Sequence, residues 1–434
     1  MSGSSRITTH LSSASTLLTA HERLLRELSD ELRLIEADGL LRRLTALESV
    51  EGPLVRIDGR LLVCWCSNDY LGLSTHPALA EAAANASKTW GIGARASRLL
   101  AGSTSLHRTL EAALAAWFGT EAALVYPSGY LANLGTLGAL LSPQDAVFVD
   151  RLAHASLFDA ARATHATLRI FHHNDPAHLA TLLSRSGRGR RRLIVTEGVF
   201  SMEGDTAPLA ELVEVAEAHD AIVYLDDAHG AFVCGATGRG TPEAAGIRLD
   251  RFLYMRTLGK ALGCQGGFVA GSRTLIDFLS NRARTFLYTT ALAVPVVAAA
   301  VEALDVMTRE PQHLERLHAR ARRLHQRLNG SRGTPSSHPP SLFELRSGSA
   351  PRAVQGRATG LPVGLHILPI VVGGSREATD LARRLWDRGI WAPAIRPPTV
   401  PEGTARIRLS VTALHTDPQI DQLGCALEEL GPPA

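Results

Sequence analysis

The sequence predicts an α/β protein: a layered domain around a mostly parallel central sheet, followed by a smaller C-terminal α+β domain. Two observations carry this. Between residues 61 and 310, short apolar runs alternate with helical patterns, the signature of strands crossing over through helices to run parallel. After a polar, Gly- and Pro-containing stretch at 329–340, "NGSRGTPSSHPP", a shorter strand–helix–strand–helix series closes the chain.

Residues 16–47 carry leucine at helical spacing among Arg and Glu, which predicts an amphipathic helix within an N-terminal helical segment, residues 1–60, suited to packing across a partner subunit. The strands of the large domain, 61–310, are read at "EAALVYPS", "DAVFVD", "TLRIFHH", "RRLIVTEG", "AIVYLDDAH", "RFLYMRT" and "GGFVAGS". In the small domain, 311–434, the strands are "LHILPIVVGG" and "TARIRLSVTA", and the helices are "SREATDLARRLWDRG" and "DPQIDQLGCALEEL". "ALAVPVVAAAVEAL" is broken by Pro295 and Glu302, so it is a buried helix rather than a membrane span.

Composition sets limits. With 434 residues, 45% of them hydrophobic and 20% charged, the chain is an ordinary globular protein with room for two or three domains. The net charge of +3 comes from scattered arginines, and the one dense cluster, "RSGRGRRR" at 185–192, lacks aromatics and reads as a solvated loop, not a nucleic-acid surface. Five cysteines without CxxC spacing give neither a disulfide framework nor a cysteine zinc site and fit a reducing cytoplasm. No metal site is read. The first twenty residues, rich in Ser and Thr, resemble a transit peptide weakly and a frayed tail better.

Chemistry enters with lysine. Of 45 basic residues only Lys88 and Lys260 are lysine, and Lys260 sits in "TLGKALG" after a strand. Lysine can lose its proton and attack a carbonyl, which arginine cannot. In "YLDDAHG" another strand ends in Asp226, Asp227 and His229. An acid and an imine-forming amine at neighbouring strand ends suit pyridoxal 5'-phosphate, whose ring nitrogen needs a carboxylate to act as an electron sink. In "YPSGYLANLG", Ser128 and Gly129 open a helix after a strand, a geometry that binds phosphate. A GxxxxGK[ST] nucleotide loop is absent. His154, one of 17 histidines, and "GARASRLLAG" at 93–102 decide nothing alone.

In order, "SNDYLGL", "GARASRLLAG", "PSGYLAN", "DRLAHASL", "TEGVFSMEGDTAPL", "DDAHG", "TLGKALG" and "PPTVPEGTARIRLSVTA" resemble the α-oxoamine synthases, a family of pyridoxal-phosphate enzymes of fold type I, over about residues 61–425. The resemblance implies the aspartate-aminotransferase-like fold. It also implies an acyltransferase that condenses an amino acid with an acyl thioester and releases carbon dioxide. The motifs are most similar to the branch of biotin biosynthesis that takes L-alanine and pimeloyl-CoA or its carrier-protein equivalent. A glycine C-acetyltransferase, a 5-aminolevulinate synthase, a natural-product condensing enzyme and a silent scaffold remain alternatives.

By the same resemblance, Lys260 holds the cofactor as an imine and moves the Cα proton, Asp226 pairs with the ring nitrogen, His229 with the ring hydroxyl, and His154 stacks on the ring. Gly129, Tyr130, Thr257 and, from a second subunit, Thr290 are expected at the phosphate. Ser201 is expected at the cofactor, Asn68 and Arg408 at the substrate carboxylate, and Arg396 at the acyl chain. Thr290 implies a homodimer with the active site at the subunit interface.

Overall fold

The computed structural model describes residues 18–187, 189–329 and 366–431. Most of the Ser- and Thr-rich start, nearly all of the polar connection at 329–340, and Arg188 lie outside them. The chain divides into two units, Met1–Thr45 and Ala46–Ala434. In the first, the helix Ala20–Ala37 is opened by a capping box: the Thr19 hydroxyl accepts from the Glu22 N–H, and the Glu22 carboxylate accepts from the Thr19 N–H at 2.7 Å. The helix is shorter than the 16–47 span its leucine pattern predicts. Gly39 takes the left-handed conformation (φ 69°) and ends it.

The second unit is built on a seven-stranded sheet. Its order is Ala122–Tyr126, Gly267–Gly271, Phe252–Thr257, Ile222–Asp226, Arg192–Glu197, Ala146–Asp150, Thr167–Phe171. Gly267–Gly271 runs antiparallel to both neighbours, and the other pairs are parallel. All seven strands expected from the apolar runs are in this one sheet. Most of their side chains are buried on both faces, which is why the runs read as continuous apolar stretches rather than alternating ones. The parallel strands all end on one side, and ligand groups gather there.

Residues 49–64 form strands Ser49–Glu51, Leu54–Ile57 and Arg60–Cys64, joined by Ile390–Trp391, so the N-terminal 60 residues are not wholly helical. A third sheet orders Ile367–Gly373, Ala405–Ser410 and Ala394–Ile395, all antiparallel. The helix Val294–Arg309 buries Val294, Val297, Ala300, Leu304 and Met307, as its apolar sequence predicts, and lies along the helix Pro77–Trp90. Among the described residues no helix is long and apolar enough to cross a membrane. On the helix Gln312–Asn329, Arg320, Arg323 and Arg327 pair with Asp417, Asp421 and Glu428 of the last helix, Asp417–Leu430.

The arginine cluster at 185–192 is not a freely solvated loop. Arg190 pairs with the buried Asp145 at 3.1 Å, Arg191 donates to the Leu140 carbonyl, and Arg192 donates to the carbonyls of His219 and Leu183. The carbonyls that Arg191 and Arg192 occupy lie at the C-terminal ends of helices, where intrahelical donors run out.

Candidate active site

Each strand end delivers one side chain. Asp226 is the last residue of its strand, Lys260 follows Phe252–Thr257 by three residues, His154 follows Ala146–Asp150 by four, and Ser128 follows Ala122–Tyr126 by two. Asp226 and Asp227 point to opposite sides, as successive residues leaving a strand do. Asp227 turns inward to Thr241, whose N–H and hydroxyl both donate to it at 2.9 Å, and to Tyr254. Burial pushes its carboxyl up to about 6. Asp227 therefore serves the framework, leaving Asp226 and His229 for the site.

Asp226 is buried, and its Oδ2 accepts from Asn133 Nδ2 at 2.8 Å and its Oδ1 from the Ala228 N–H at 3.0 Å. Asn133 is itself fixed by the Tyr224 hydroxyl, which donates to its Oδ1 at 2.7 Å, and by Ser156. Next to Asp226 in strand register stands Glu197, 2% exposed, with an Oε1 that has no hydrogen-bond partner. Burial, and then the neighbouring charge of Asp226, hold the Glu197 carboxyl well above the usual range.

Lys260 Nζ lies 2.6 Å from His229 Nε2. Removal from water lowers the lysine to about 8, against the raising influence of Asp226 and Glu197. Burial pushes His229 well below its usual value, and the charges of Lys260 and Arg408 act in the same direction. His154 caps the helix Ala155–Ala163, its Nδ1 accepting from the Ser156 N–H at 3.2 Å. Burial lowers it too, while the fields of Asp226 and Lys260 both reach it.

The anion end of the site is the start of the helix Gly129–Leu140, which Ser128 caps by accepting from the Leu131 N–H at 3.2 Å. A Cβ on Gly129 would stand 3.6 Å from Thr257 Oγ1, so that hydroxyl adjoins the helix start. A Cβ on Gly267 would come within 2.5 Å of Gly129 Cα, so glycine alone lets strand and helix approach this closely. The backbone groups of Gly129 and Tyr130 are in this first turn, and the half-exposed Tyr130 side chain donates to Asp159.

A second cluster is centred on Arg408 of the strand Ala405–Ser410. It donates to Asn68 Oδ1 (3.2 Å), Ser410 Oγ (2.8 Å), the Tyr70 hydroxyl oxygen (3.1 Å) and the Ser201 carbonyl. Two residues along the same face, Arg406 donates to the Met202 carbonyl at 3.0 Å and to Glu203 at 2.9 Å. The C-terminal strand thus grips the 201–203 turn and connects it to Asn68. Tyr70 links this cluster to the first, its hydroxyl being 2.6 Å from His229 Nδ1.

Lys260, His229, Tyr70, Asn68, Arg408 and Ser201 are therefore joined by contacts, and Asp226 and His154 are joined through Asn133 and Ser156. Arg396 follows the short strand Ala394–Ile395, which pairs with Arg406 and Ile407 beside Arg408. Thr290 lies exposed between the helices Arg284–Leu287 and Val294–Arg309 and takes part in none of these bonds. Asn133, Tyr70 and Glu197 were not singled out from sequence. Tyr70 and Asn133 lie inside the quoted "SNDYLGL" and "PSGYLAN", and Asn133 is one helical turn from Gly129.

Comparison with known proteins gives the family. Residues 61–427 match the family model of aminotransferase class I and II. The chain is 44% identical over 400 residues to an 8-amino-7-oxononanoate synthase of Chromobacterium violaceum, covering 92% of this chain and 97% of that protein. It is 43% identical to one of Anaeromyxobacter dehalogenans, with 93% and 94% covered. Among solved structures it resembles a serine palmitoyltransferase of S. paucimobilis with a bound PLP–myriocin aldimine, at TM-score 0.83 and 28% identity, covering 94% of this chain and 98% of that one. It also resembles an 8-amino-7-oxononanoate synthase of Francisella tularensis, at TM-score 0.67 and 26% identity, with 85% and 98% covered. The match over 61–427 and the likeness to these relatives show the family: the chain belongs to the aminotransferase class I and II family.

Proposed function

We propose that this protein condenses L-alanine with a pimeloyl thioester, releasing carbon dioxide and forming 8-amino-7-oxononanoate, a step of biotin biosynthesis, with pyridoxal 5'-phosphate as cofactor. The observation that carries the chemistry is Lys260, a lysine lowered to about 8 and held against His229 within the field of Asp226. The choice of substrates rests on the 8-amino-7-oxononanoate synthases that match over more than nine-tenths of the chain.

The residues present fit the cofactor. The close approach of Gly267 and Gly129 leaves the first turn of a helix open to an anion, a carboxylate ends one strand, and a neutralisable amine follows the next. Lys260 Nζ would hold its aldehyde carbon, Asp226 its ring nitrogen, His229 its ring hydroxyl and His154 its ring face. Gly129, Tyr130 and Thr257, together with Thr290 of the partner subunit in a homodimer, would hold its phosphate, and Ser201 would add a contact. When bound, pyridoxal phosphate supplies an electron-withdrawing ring that makes the amino-acid Cα proton removable.

The chain's own residues do the rest. Arg408, held by Asn68, Tyr70 and Ser201, presents a fixed guanidinium to the amino-acid carboxylate. Lys260 takes the Cα proton at Nζ, for which a pKa near neutrality is well matched. His229 Nε2 accepts from Lys260 Nζ at 2.6 Å when the amine is free, and would turn to the ring hydroxyl when the cofactor is held. Holding amine, carboxylate and thioester in one buried pocket supplies the proximity, and Arg396 guides the acyl chain.

The test is product formation. Purified protein with pyridoxal phosphate is given pimeloyl-CoA or pimeloyl carrier protein with L-alanine, glycine or L-serine, and products are read by mass spectrometry. Alanine-dependent 8-amino-7-oxononanoate is expected. A glycine- or serine-derived product in its place would overturn the substrate assignment.

A further inference from the structure

Where the helices Pro77–Trp90 and Val294–Arg309 lie side by side, three side chains from three elements converge. His76 is the N-cap of the first helix, Glu310 the C-cap of the second, and His313 lies in the first turn of Gln312–Asn329. Their ligand atoms all lie within 4.8 Å of one another. Glu310 Oε1 is 3.5 Å from His76 Nε2, and Oε2 is 3.2 Å from His313 Nε2.

Hydrogen positions follow from the partners. His313 Nδ1 faces the Leu71 carbonyl oxygen at 3.1 Å, so Nδ1 carries the hydrogen and the neutral ring presents a bare lone pair at Nε2. That lone pair points at a carboxylate oxygen. Two acceptors this close need a cation between them, either a proton or a metal ion. Around an ion of the zinc class, with bonds of about 2.0–2.2 Å, ligand atoms of a tetrahedral set stand roughly 3.3–3.6 Å apart. The two separations, made by different oxygens of Glu310, are close to that edge for a carboxylate that meets the ion with both. A backbone carbonyl behind a ligating imidazole is also the usual outer partner that fixes its tautomer.

We propose that His76, Glu310 and His313 form a binding site for a divalent transition ion of the zinc class, with water completing the coordination on the half-exposed side. Two imidazoles and one carboxylate favour such an ion over magnesium or calcium, which prefer all-oxygen sets. His76 Nδ1 accepts from the Ala78 N–H at 3.2 Å, so without an ion the His76 hydrogen is on Nε2. Ligation moves it to Nδ1 and gives up the bond from the Ala78 N–H, a loss that binding of the ion must exceed. The ion would fasten the start of one helix to the joint between the next two. Through the His313 bond to Leu71 it would also brace the segment that holds Tyr70.

Full-length protein carrying pyridoxal phosphate is stripped with a chelator, dialysed, and titrated with zinc chloride against a chromophoric zinc indicator. Glu310→Gln and His76→Ala are treated identically. One ion per chain is expected in the parent, bound at least about thirtyfold more weakly in both variants, with zinc raising the melting temperature of the parent alone. Equal affinity in parent and Glu310→Gln, or no binding below millimolar zinc, overturns the proposal and leaves a proton between His313 and Glu310. Because every sample carries the cofactor, zinc held by the cofactor or by other histidines would appear equally in all three.

Discussion

Lys260 Nζ stands 2.6 Å from His229 Nε2, and this contact begins a hydrogen-bond chain in which every donor finds an acceptor. Lys260 donates to Nε2, which places the His229 hydrogen on Nδ1, 2.6 Å from the Tyr70 oxygen. That oxygen also accepts from Arg408, and its own hydrogen goes to Asn68 Oδ1 at 3.1 Å. The amine proposed to react and the guanidinium proposed to orient the substrate are thus linked through two side chains. Burial lowers Lys260 to about 8, so the attacking neutral amine is half-formed near pH 8 rather than above 10. Reconstitution of apoprotein with pyridoxal phosphate, followed by visible absorbance, is expected to speed up with a midpoint near pH 8. Asp226→Asn removes a charge that raises Lys260 and is expected to move the midpoint lower. A parent midpoint near 10.5 would refute the argument.

Tyr70→Phe keeps the ring and removes the oxygen that three neighbours share. Arg408 retains Asn68, Ser410 and the Ser201 carbonyl, so it stays in place with less restraint. A lost hydrogen bond to a charged group costs about 1.5 kcal/mol, or roughly tenfold. We expect that loss in kcat/KM for the amino acid, mainly as a raised KM, because carboxylate binding is made in both ground and transition states. Steady-state kinetics with the thioester saturating decides it, and an unchanged KM would remove Tyr70 from substrate binding.

The parts legible in the sequence were those whose cause is local. The seven strands were readable because each apolar run is short, and all but the edge strand Thr167–Phe171 are largely buried on both faces. Lys260 stood out because only one other lysine occurs in the chain, and Asp226 because an acid at a strand end suits an imine-forming amine after the neighbouring strand. Asn133 did not stand out, because its partner Asp226 is 93 residues away and nothing in "LANLG" announces it. Glu197, the last residue of its strand, has no local signal, and only register puts it beside Asp226. The arginines at 190–192 read as solvated because their partners, the Asp145 carboxylate and the carbonyls of Leu140, Leu183 and His219, are set by the fold and not by the local sequence. The sheet at 49–64 takes its fourth strand from Ile390–Trp391, a pairing no local pattern encodes.

His173 sits between two carboxylates, with Nδ1 2.9 Å from Asp150 and Nε2 2.9 Å from Asp205. Burial opposes its charge, but the two hydrogen-bonded acids win and raise it to about 10. The folded value lies above the unfolded one of about 6.5. The stabilisation is therefore complete below about pH 6.5, falls as the pH climbs, and is gone above about pH 10. His173→Gln leaves Asp150 buried without its cation and is expected to cost ~2–3 kcal/mol at pH 6, discounted for the ring's partial exposure. Urea unfolding of both proteins at pH 6 and pH 10 measures this. A cost that stays constant across the two would show that His173 contributes through packing and not through charge.

Gly267 tests the anion end of the site without removing any polar side chain. A Cβ there would stand 2.5 Å from Gly129 Cα and 2.6 Å from Gly129 N, and both are backbone atoms with no flexible end to yield. Gly267 also pairs with Tyr126 and Thr257 in the sheet, so the strand cannot retreat and the first turn of the helix Gly129–Leu140 must shift instead. That turn carries the N–H groups assigned to the cofactor phosphate, and a displacement of a few tenths of an ångström lengthens those charge-assisted bonds. Gly267→Ala is expected to weaken pyridoxal phosphate binding at least tenfold while circular dichroism keeps the parent's helix content. A fluorescence titration of the apoprotein with the cofactor gives the number. An unchanged Kd would mean that the phosphate does not sit at this helix start, and the assignment of Gly129, Tyr130 and Thr257 would fall with it.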